Sequence, residues 1–588
     1  MSAPEVAADV DELVARHVRH GMHLHFSATM SRPNALLNAV ARRFRGTRGL
    51  TVSVPAVHSN AHALALAGAV DLMITGFLGE TYPTPRPCPL YRDVLAGEPF
   101  TLEAWSLLTL TQRLVAAGSG QPAAATSALL GTWLAEGKEH ALAPAADPWT
   151  GEPVALLRPL RPDLTLVHGA CADRRGNVVL CRPSGEGPWA AYAARLGVIA
   201  SVERIVDDAV VDAHPQDVVI PGQRVLGLCE APFGAHPQSL RTQGIGGVPG
   251  YRDDYAFLSA TALACADPGT ARTWFDEWID LDGGHGAYLD RLGPDRLAAL
   301  TRDDGLTRDD APGPTRAGAR VGPVRAGART DPARVDARTD PARARTNPAP
   351  ATRREALVVL GARAVARQVR ERGFDTVLAG IGASHLAAWL AADLLRREGR
   401  EIALVAELGF YGTRPHEGDV FLFSQRHADR SQQLSSIGEV LGGMVAANDR
   451  CLGVLAAAEI DESGDVNTSF LPDGGWLTGS GGAHDIAASC DCVVVAASGR
   501  HRYVPKVAAV TTSGRRVLTA VTEFGVFRRE SGDAPFHLDS ALDPGAARSL
   551  VAERTGWGCD TSGAVAEEPV RPDELAVLRA LDPEGHYR

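Results

Sequence analysis

Residues 376–409 read Thr376-Val-Leu-Ala-Gly-Ile-Gly-Ala-Ser-His-Leu-Ala-Ala-Trp-Leu-Ala-Ala-Asp-Leu-Leu-Arg-Arg-Glu-Gly-Arg-Glu-Ile-Ala-Leu-Val-Ala-Glu-Leu-Gly409. Two short apolar runs, 376–379 and 402–406, are bounded by glycine or charge, as buried parallel strands are. Between them, 384–397 carries the spacing of an amphipathic helix. The same alternation extends outward. Residues 356–372 read as a helix before the first run. In the N-terminal half, 36–44 and 105–117 look helical, and 164–168 and 210–220 contain strand-like runs. Alternating strand and helix predicts an α/β fold in each half.

One stretch breaks the pattern. From 305 to 352 the chain is built of Arg, Ala, Pro, Gly, Thr and Asp, with near-copies such as Arg316-Ala-Gly-Ala-Arg320 and Arg325-Ala-Gly-Ala-Arg329. A segment so poor in large apolar residues cannot offset the entropy of ordering itself. It is read as a disordered linker between a domain at 1–304 and a domain at 353–588. The other reading is a basic arm, but the cations are spaced by Pro and Gly rather than clustered. The halves also echo each other. Val167-His-Gly-Ala-Cys-Ala-Asp-Arg-Arg-Gly-Asn-Val178 parallels Leu455-Ala-Ala-Ala-Glu-Ile-Asp-Glu-Ser-Gly-Asp-Val466. Both run from an apolar strand into Asp-x-x-Gly-Asn/Asp, which is turn chemistry. Duplication, or fusion of two subunits, accounts for this.

Bulk composition narrows the function. The 588 residues exceed one hydrophobic core. Hydrophobic residues make up 45% and charged residues 22%, as in a globular protein, and the net charge is -11. That balance argues against a nucleic-acid binder. No apolar run spans a membrane and the chain opens Met-Ser-Ala-Pro-Glu, so a cytoplasmic protein is expected. Nine cysteines without zinc-type pairs fit a reduced compartment. Lys138 and Lys506 are the only lysines, which limits Schiff-base chemistry.

The ordered series of motifs resembles the family I coenzyme A transferases, in particular the glutaconate CoA-transferase-like branch, with α and β subunits fused. The first half carries Ser31-Arg-Pro-Asn-Ala-Leu-Leu, Asp173-Arg-Arg-Gly-Asn177 and Glu230-Ala-Pro-Phe-Gly-Ala-His-Pro237. The second carries Glu407-Leu-Gly409, Gly464-Asp-Val-Asn467, Gly479-Ser-Gly-Gly-Ala-His-Asp485 and Thr522-Glu-Phe-Gly-Val-Phe527. The resemblance implies two related open α/β domains sharing one active site. It also implies an enzyme that moves CoA from an acyl-CoA to a carboxylic acid through a covalent glutamyl-CoA thioester.

It assigns the nucleophile to Glu407, at a strand's carboxyl end, where open α/β sheets place ligands. Leu408 stands where the family pattern usually has Asn. Each addition to a carbonyl makes an oxyanion that needs amide donors. The backbone of Gly481, Gly482 and Ala483 is the candidate, with Gly479 in the same loop. Asp485 is read as a cap of the helix that follows. Gly380 and Gly382 open a helix and are candidates for CoA phosphates, Gly409 for CoA or substrate. Glu103 lies in a segment that contributes to the shared cleft in relatives and is a candidate for a substrate polar group; a solvated residue at a helix start is the plainer reading.

Gly21-Met-His-Leu-His-Phe-Ser-Ala28 has Phe26 and Ser27 where small residues are expected, so it is read as shaping the acyl pocket. His23 and His25 share a strand face, and His58 and His62 are four apart, but neither pair has a third ligand in the sequence. No metal is expected; coenzyme A enters as substrate. Dicarboxylates and 3-oxo acids are both used by relatives, and no residue in the sequence decides between them. Family habit points to a dimer of fused chains. The rivals are a CoA-ester hydrolase of the cyclic β-diketone ring-opening type on the same fold, and a non-catalytic acyl-CoA sensor. The sensor would need a DNA-binding helix-turn-helix, which this acidic chain does not show.

Overall fold

The computed structural model describes residues 3–27, 30–242, 244–302 and 349–588. The expected linker at 305–352 lies outside the described residues up to 348. Two large sheets organise the chain. In the first half the strands run Glu5–Val6, Val225–Glu230, Gly197–Ile205, Leu164–Ala172, His23–Phe26, Leu50–Ser53, Val70–Thr75 and Thr101–Ala104, each parallel to its neighbours. In the second half a parallel core runs Ala403–Ala406, Thr376–Ala379, Cys451–Leu455, Asp491–Val495 and Val517–Val521, with antiparallel strands continuing both edges. Helices cover the faces, so the central strands are near-continuous apolar runs. All nine residues of Leu164–Ala172 are buried. Each fully buried Val or Leu contributes about 1.5–3 kcal/mol relative to exposure.

The helices start and stop where local chemistry dictates. Arg353–Arg372 begins at Thr352, whose hydroxyl accepts from the Glu355 N–H while Glu355 accepts from the Thr352 N–H. It ends at Gly373 in the left-handed conformation. The other sequence-predicted helices form as Asn34–Arg43, Leu107–Gly118 and Ala383–Arg397. The stretch 210–220, read as containing strand-like runs, holds the strand Val218–Ile220, and its first residues belong to the short helix Asp208–Asp212. Val210 and Val211 favour strands, but burying Val211 in the neighbouring apolar cluster as a helical turn outweighs that local preference.

The echo between the halves is structural. Asp173 and Asp461 are buried and accept backbone N–H groups of the turns that follow, Asn177 at 2.8 Å and Ser463 at 2.9 Å. Gly176 and Gly464 sit at φ +87° and +77°, which only glycine adopts freely. The Gly222 N–H donates to Asn177 Oδ1 at 3.0 Å, and the Gly514 N–H to Asp465 Oδ1 at 2.7 Å. Each clasp leads into the next parallel strand, Val225–Glu230 or Val517–Val521. The halves are two copies of one architecture.

They meet along the carboxyl ends of the strands. The Leu78 N–H donates to Thr478 O at 2.9 Å, the Gly481 N–H to Gly76 O at 3.0 Å and the Leu107 N–H to Gly481 O at 3.1 Å. The Trp476 indole N–H donates to Leu78 O at 2.9 Å, and the Trp133 indole N–H to Ser469 Oγ at 3.1 Å. The loop before residue 483 is thereby stitched to the first-half sheet edge beyond Thr75 and Ala104.

Candidate active site

Glu407 follows directly on the strand Ala403–Ala406, so its carboxylate stands at the rim of the second-half sheet. It is half-buried, and among the described residues it pairs with no cation. The Gly482 backbone amide lies beside it. A Cβ built on Gly482 would overlap Glu407 Oε2, so only glycine lets the carboxylate come this close. Burial, and then the negative charge of Asp485, push the Glu407 carboxyl up from 4.5 to about 7, against the opposing pull of the Gly482 amide.

Asp485 does more than cap its own helix. It lies inside the helix Ala483–Ser489 and reaches across to the other half. Its carboxylate accepts from Ser106 Oγ at 2.5 Å and from the Leu108 N–H at 2.9 Å. It therefore anchors the N-terminus of Leu107–Gly118, the helix that leaves the last strand of the first-half sheet. Burial raises its carboxyl to about 7. His484 beside it is buried, accepts from the Leu129 N–H at 2.7 Å, and is held down to about 4, hence neutral.

The three amides expected to face a reacting oxygen divide. Gly482 meets Glu407. The Gly481 N–H donates to Gly76 O, and the Ala483 N–H to Ser480 O at 3.0 Å. The other glycines are likewise occupied in the fold. The Gly479 N–H donates to Thr468 O at 3.1 Å, the Gly380 N–H to Val454 O at 2.9 Å and the Gly382 N–H to His385 Nδ1 at 3.0 Å. Gly409 turns the chain at φ +125°, where a Cβ would meet Pro183 and Ser435. Glu103 does not reach Glu407. Its Oε1 accepts from the Trp105 indole at 2.6 Å and from Arg113 at 3.1 Å, and Oε2 meets His140 at 2.9 Å.

Glu407 and Leu408 line a cavity of about 70 Å³ between the halves. Its second-half walls include Ile381 and Phe421; its first-half walls include Met30, Arg32, Phe77 and Gln238. Met30 and Arg32 follow the segment read as shaping the acyl pocket; Ala28 of that segment lies outside the described residues. The sequence offered no signal for Arg32 or Gln238 beyond the quoted Ser31-Arg-Pro-Asn motif, because Gln238 meets Asn34 across 204 residues and both reach the cavity of Glu407 only through the fold.

Of the two histidine pairs, His23, His25 and His62 are hydrogen-bonded within the protein through their rings. His23 Nε2 and His25 Nδ1 both lie 2.9 Å from Ser53 Oγ. His62 meets Tyr91 Oη at 2.7 Å and Glu80 at 3.0 Å; with Cys88 it forms a buried cluster close enough for a metal. Among the described residues no helix is long and apolar enough to cross a membrane.

Known proteins resemble this chain in sequence and in fold. The family model described as Coenzyme A transferase matches residues 7–230. Both subunits of the 3-oxoadipate CoA-transferase of Pseudomonas knackmussii match this one chain. The first is 35% identical, over 22% of this chain and 43% of its own length; the second is 28% identical, over 33% and 82%. A subunit of the succinyl-CoA:3-ketoacid coenzyme A transferase of Xanthomonas campestris is 32% identical, over 32% of this chain and 73% of its own. The crystal structure of an acyl-CoA transferase from Escherichia coli O157:H7 superposes with a TM-score of 0.62, covering 96% of both chains at 14% identity, and so shares the fold. The chain belongs to the coenzyme A transferase family, a family of enzymes. It spans less than half the length of the first of the Pseudomonas subunits.

Proposed function

We propose that this chain transfers coenzyme A from an acyl-CoA to a carboxylic acid, with Glu407 as nucleophile and both halves contributing to one site. The observation that carries this is the Glu407 carboxylate itself. It has no cation partner among the described residues, abuts the Gly482 amide, lines a cavity between the halves and has a raised proton affinity. An unpaired, desolvated carboxylate is costly to keep and is a more basic nucleophile than a solvated one.

The chemistry balances without an outside reagent. A Glu407 oxygen attacks the thioester carbonyl, the C–S bond breaks, and an acyl-glutamyl anhydride and CoA thiolate result. The thiolate attacks the glutamyl carbonyl, giving a glutamyl-CoA thioester and the first acid as carboxylate. The second acid's carboxylate attacks that thioester and again expels the thiolate. The thiolate then takes the acyl carbonyl, restoring Glu407. No proton is gained or lost over the cycle. Hydrolysis would discard the thioester's free energy, whereas this route keeps an activated acyl group at every stage. The Gly482 N–H supports oxyanions formed on the glutamyl carbonyl. The apolar walls formed by Met30, Phe77, Leu408 and Phe421 exclude water that would hydrolyse the anhydride.

The test is CoA exchange from acetyl-CoA or succinyl-CoA into a panel of acids, with free CoA followed in parallel. Transfer without net CoA release, lost in Glu407→Gln, is expected. Acyl-CoA hydrolysis that persists in Glu407→Gln, without transfer, favours the hydrolase reading instead.

A further inference from the structure

Away from the Glu407 carboxylate, the first half buries a cluster of metal-ligating side chains that the transfer chemistry does not use. His62 is 0% exposed, Glu80 4% and Cys88 2%. One donor atom from each lies within 4.8 Å of the other two. Three separate segments bring them together. His62 opens the short helix His62–Leu66, Glu80 follows the strand Phe77–Leu78, and Cys88 precedes the single-turn helix Pro89–Tyr91. His62 Nδ1 lies 2.7 Å from Tyr91 Oη, which fixes the ring and turns Nε2 to Glu80 Oε1 at 3.0 Å. Cys88 Sγ lies 3.8 Å from the Cys265 carbonyl. Among the described residues no Arg or Lys pairs with Glu80, whose one charged-group partner is His62. A carboxylate kept this dry without a cation is costly.

We propose that His62, Glu80 and Cys88 bind one zinc ion, and that this ion is structural rather than catalytic. The donor set chooses the metal. A thiolate and an imidazole favour zinc over magnesium or calcium, which take oxygen ligands. Zinc bonds of about 2.0–2.3 Å at tetrahedral angles set neighbouring ligands about 3.3–3.8 Å apart. The separations of 3.0 Å between Nε2 and Oε1 and 3.8 Å between Sγ and the Cys265 oxygen lie at the two ends of that spacing. The charges cancel, because the divalent ion meets one carboxylate, one thiolate and a neutral imidazole. Binding displaces the Cys88 thiol proton to solvent. Nε2 gives its lone pair to the metal, and Nδ1–H donates to Tyr91 Oη, the outer partner that orients a metal-bound imidazole. Loss of the thiol proton also frees the Cys265 carbonyl for the fourth position. The fold shows what the ion would hold. Phe77 and Thr81, on either side of Glu80, line the Glu407 cavity, and Leu78 is hydrogen-bonded to Thr478 and Trp476 of the second half. Zinc on Glu80 pins that loop to the first-half core. The inference does not depend on Glu407 and stands whatever reaction the cavity carries out.

The experiment uses the full chain, stripped with a chelator and titrated with Co2+ under reducing conditions. A thiolate-to-cobalt charge-transfer band in the near ultraviolet, with the intense visible bands of tetrahedral cobalt, is expected to saturate at one equivalent, and Zn2+ should bleach both. Cys88→Ser should remove the near-ultraviolet band, and His62→Gln and Glu80→Gln should each weaken Co2+ binding at least 10-fold. Cys559→Ser, at the one partly exposed cysteine, should leave the spectrum unchanged. Zn2+ at about 100 times its dissociation constant should raise the melting temperature by about 2 °C. A folded wild-type chain that shows no thiolate band with excess Co2+ overturns the site and leaves a hydrogen-bonded chain of Tyr91, His62 and Glu80. A band that survives Cys88→Ser, or that His62→Gln does not weaken, overturns it equally. Should Cys88→Ser fail to fold, the wild-type titration and His62→Gln carry the test.

Discussion

Replacing Glu407 by glutamine should make the protein more stable, and only at high pH. In the folded chain burial and the neighbouring Asp485 raise the Glu407 carboxyl from 4.5 to about 7. An unfolded chain leaves it near its ordinary value. Between these two pH values the folded state holds a proton that the unfolded state has released, so stability falls as pH rises through the window and stays low above it. A displacement of that size corresponds to about 3 kcal/mol, trimmed to about 2–3 kcal/mol because the half-buried carboxylate is partly screened by solvent. Glutamine keeps an oxygen beside the Gly482 amide but never ionises. At pH 8.5 Glu407→Gln should melt about 2 °C above the wild type, while at pH 4.5 the two should coincide. The assay is differential scanning calorimetry at both pH values, with Glu401→Gln, a solvent-exposed carboxylate at the start of the same segment, as the control expected to show no such pH-dependent gain. A variant no more stable than wild type at pH 8.5, or equally stabilised at both pH values, refutes the claim that this carboxylate is held in a desolvated site.

The same displacement sets the rate profile: kcat/KM for acyl-CoA should climb with pH to a plateau above about 7, because the ionised carboxylate attacks. Asp485→Asn removes the nearby charge and should move that midpoint to lower pH, as read by the pH dependence of initial rates. Gly482→Ala should lower transfer at least 100-fold with little change in melting temperature. The backbone there is right-handed (φ -91°), so alanine fits the chain and collides only with Glu407. Ser106→Ala removes the N-cap of Leu107–Gly118 and one partner of Asp485, and should cost about 1–2 kcal/mol in thermal unfolding.

Much of the fold could be read from residues in order. The strands at 376–379 and 403–406, the helix between them, and the Asp-x-x-Gly turns at 173–176 and 461–464 depend on local pattern, and local pattern sufficed. Glu407 was legible because a strand ends there and a motif series surrounds it. What the sequence did not show depends on contacts between distant segments. Asp485 reads as a helix cap until Ser106 and Leu108, nearly 380 residues earlier, are found to be its partners. Gly481 and Ala483 look like open amides, yet Gly76 O and Ser480 O occupy them. Glu103 gave no sign that Trp105, Arg113 and His140 would enclose it. The valines at 210 and 211 favoured a strand, and packing against a neighbouring cluster made a helical turn of them. Arg32 and Gln238 acquire meaning only when the two halves close on one cavity.

The central claim is that Glu407 becomes bonded to sulfur during turnover. The most direct measurement is to mix the wild-type protein with acyl-CoA, reduce with borohydride or trap with hydroxylamine, and map the modified peptide by mass spectrometry. Modification confined to Glu407, dependent on acyl-CoA and absent in Glu407→Gln, is the predicted result. An unmodified Glu407 in protein that is transferring CoA, or an adduct on any other side chain, contradicts it.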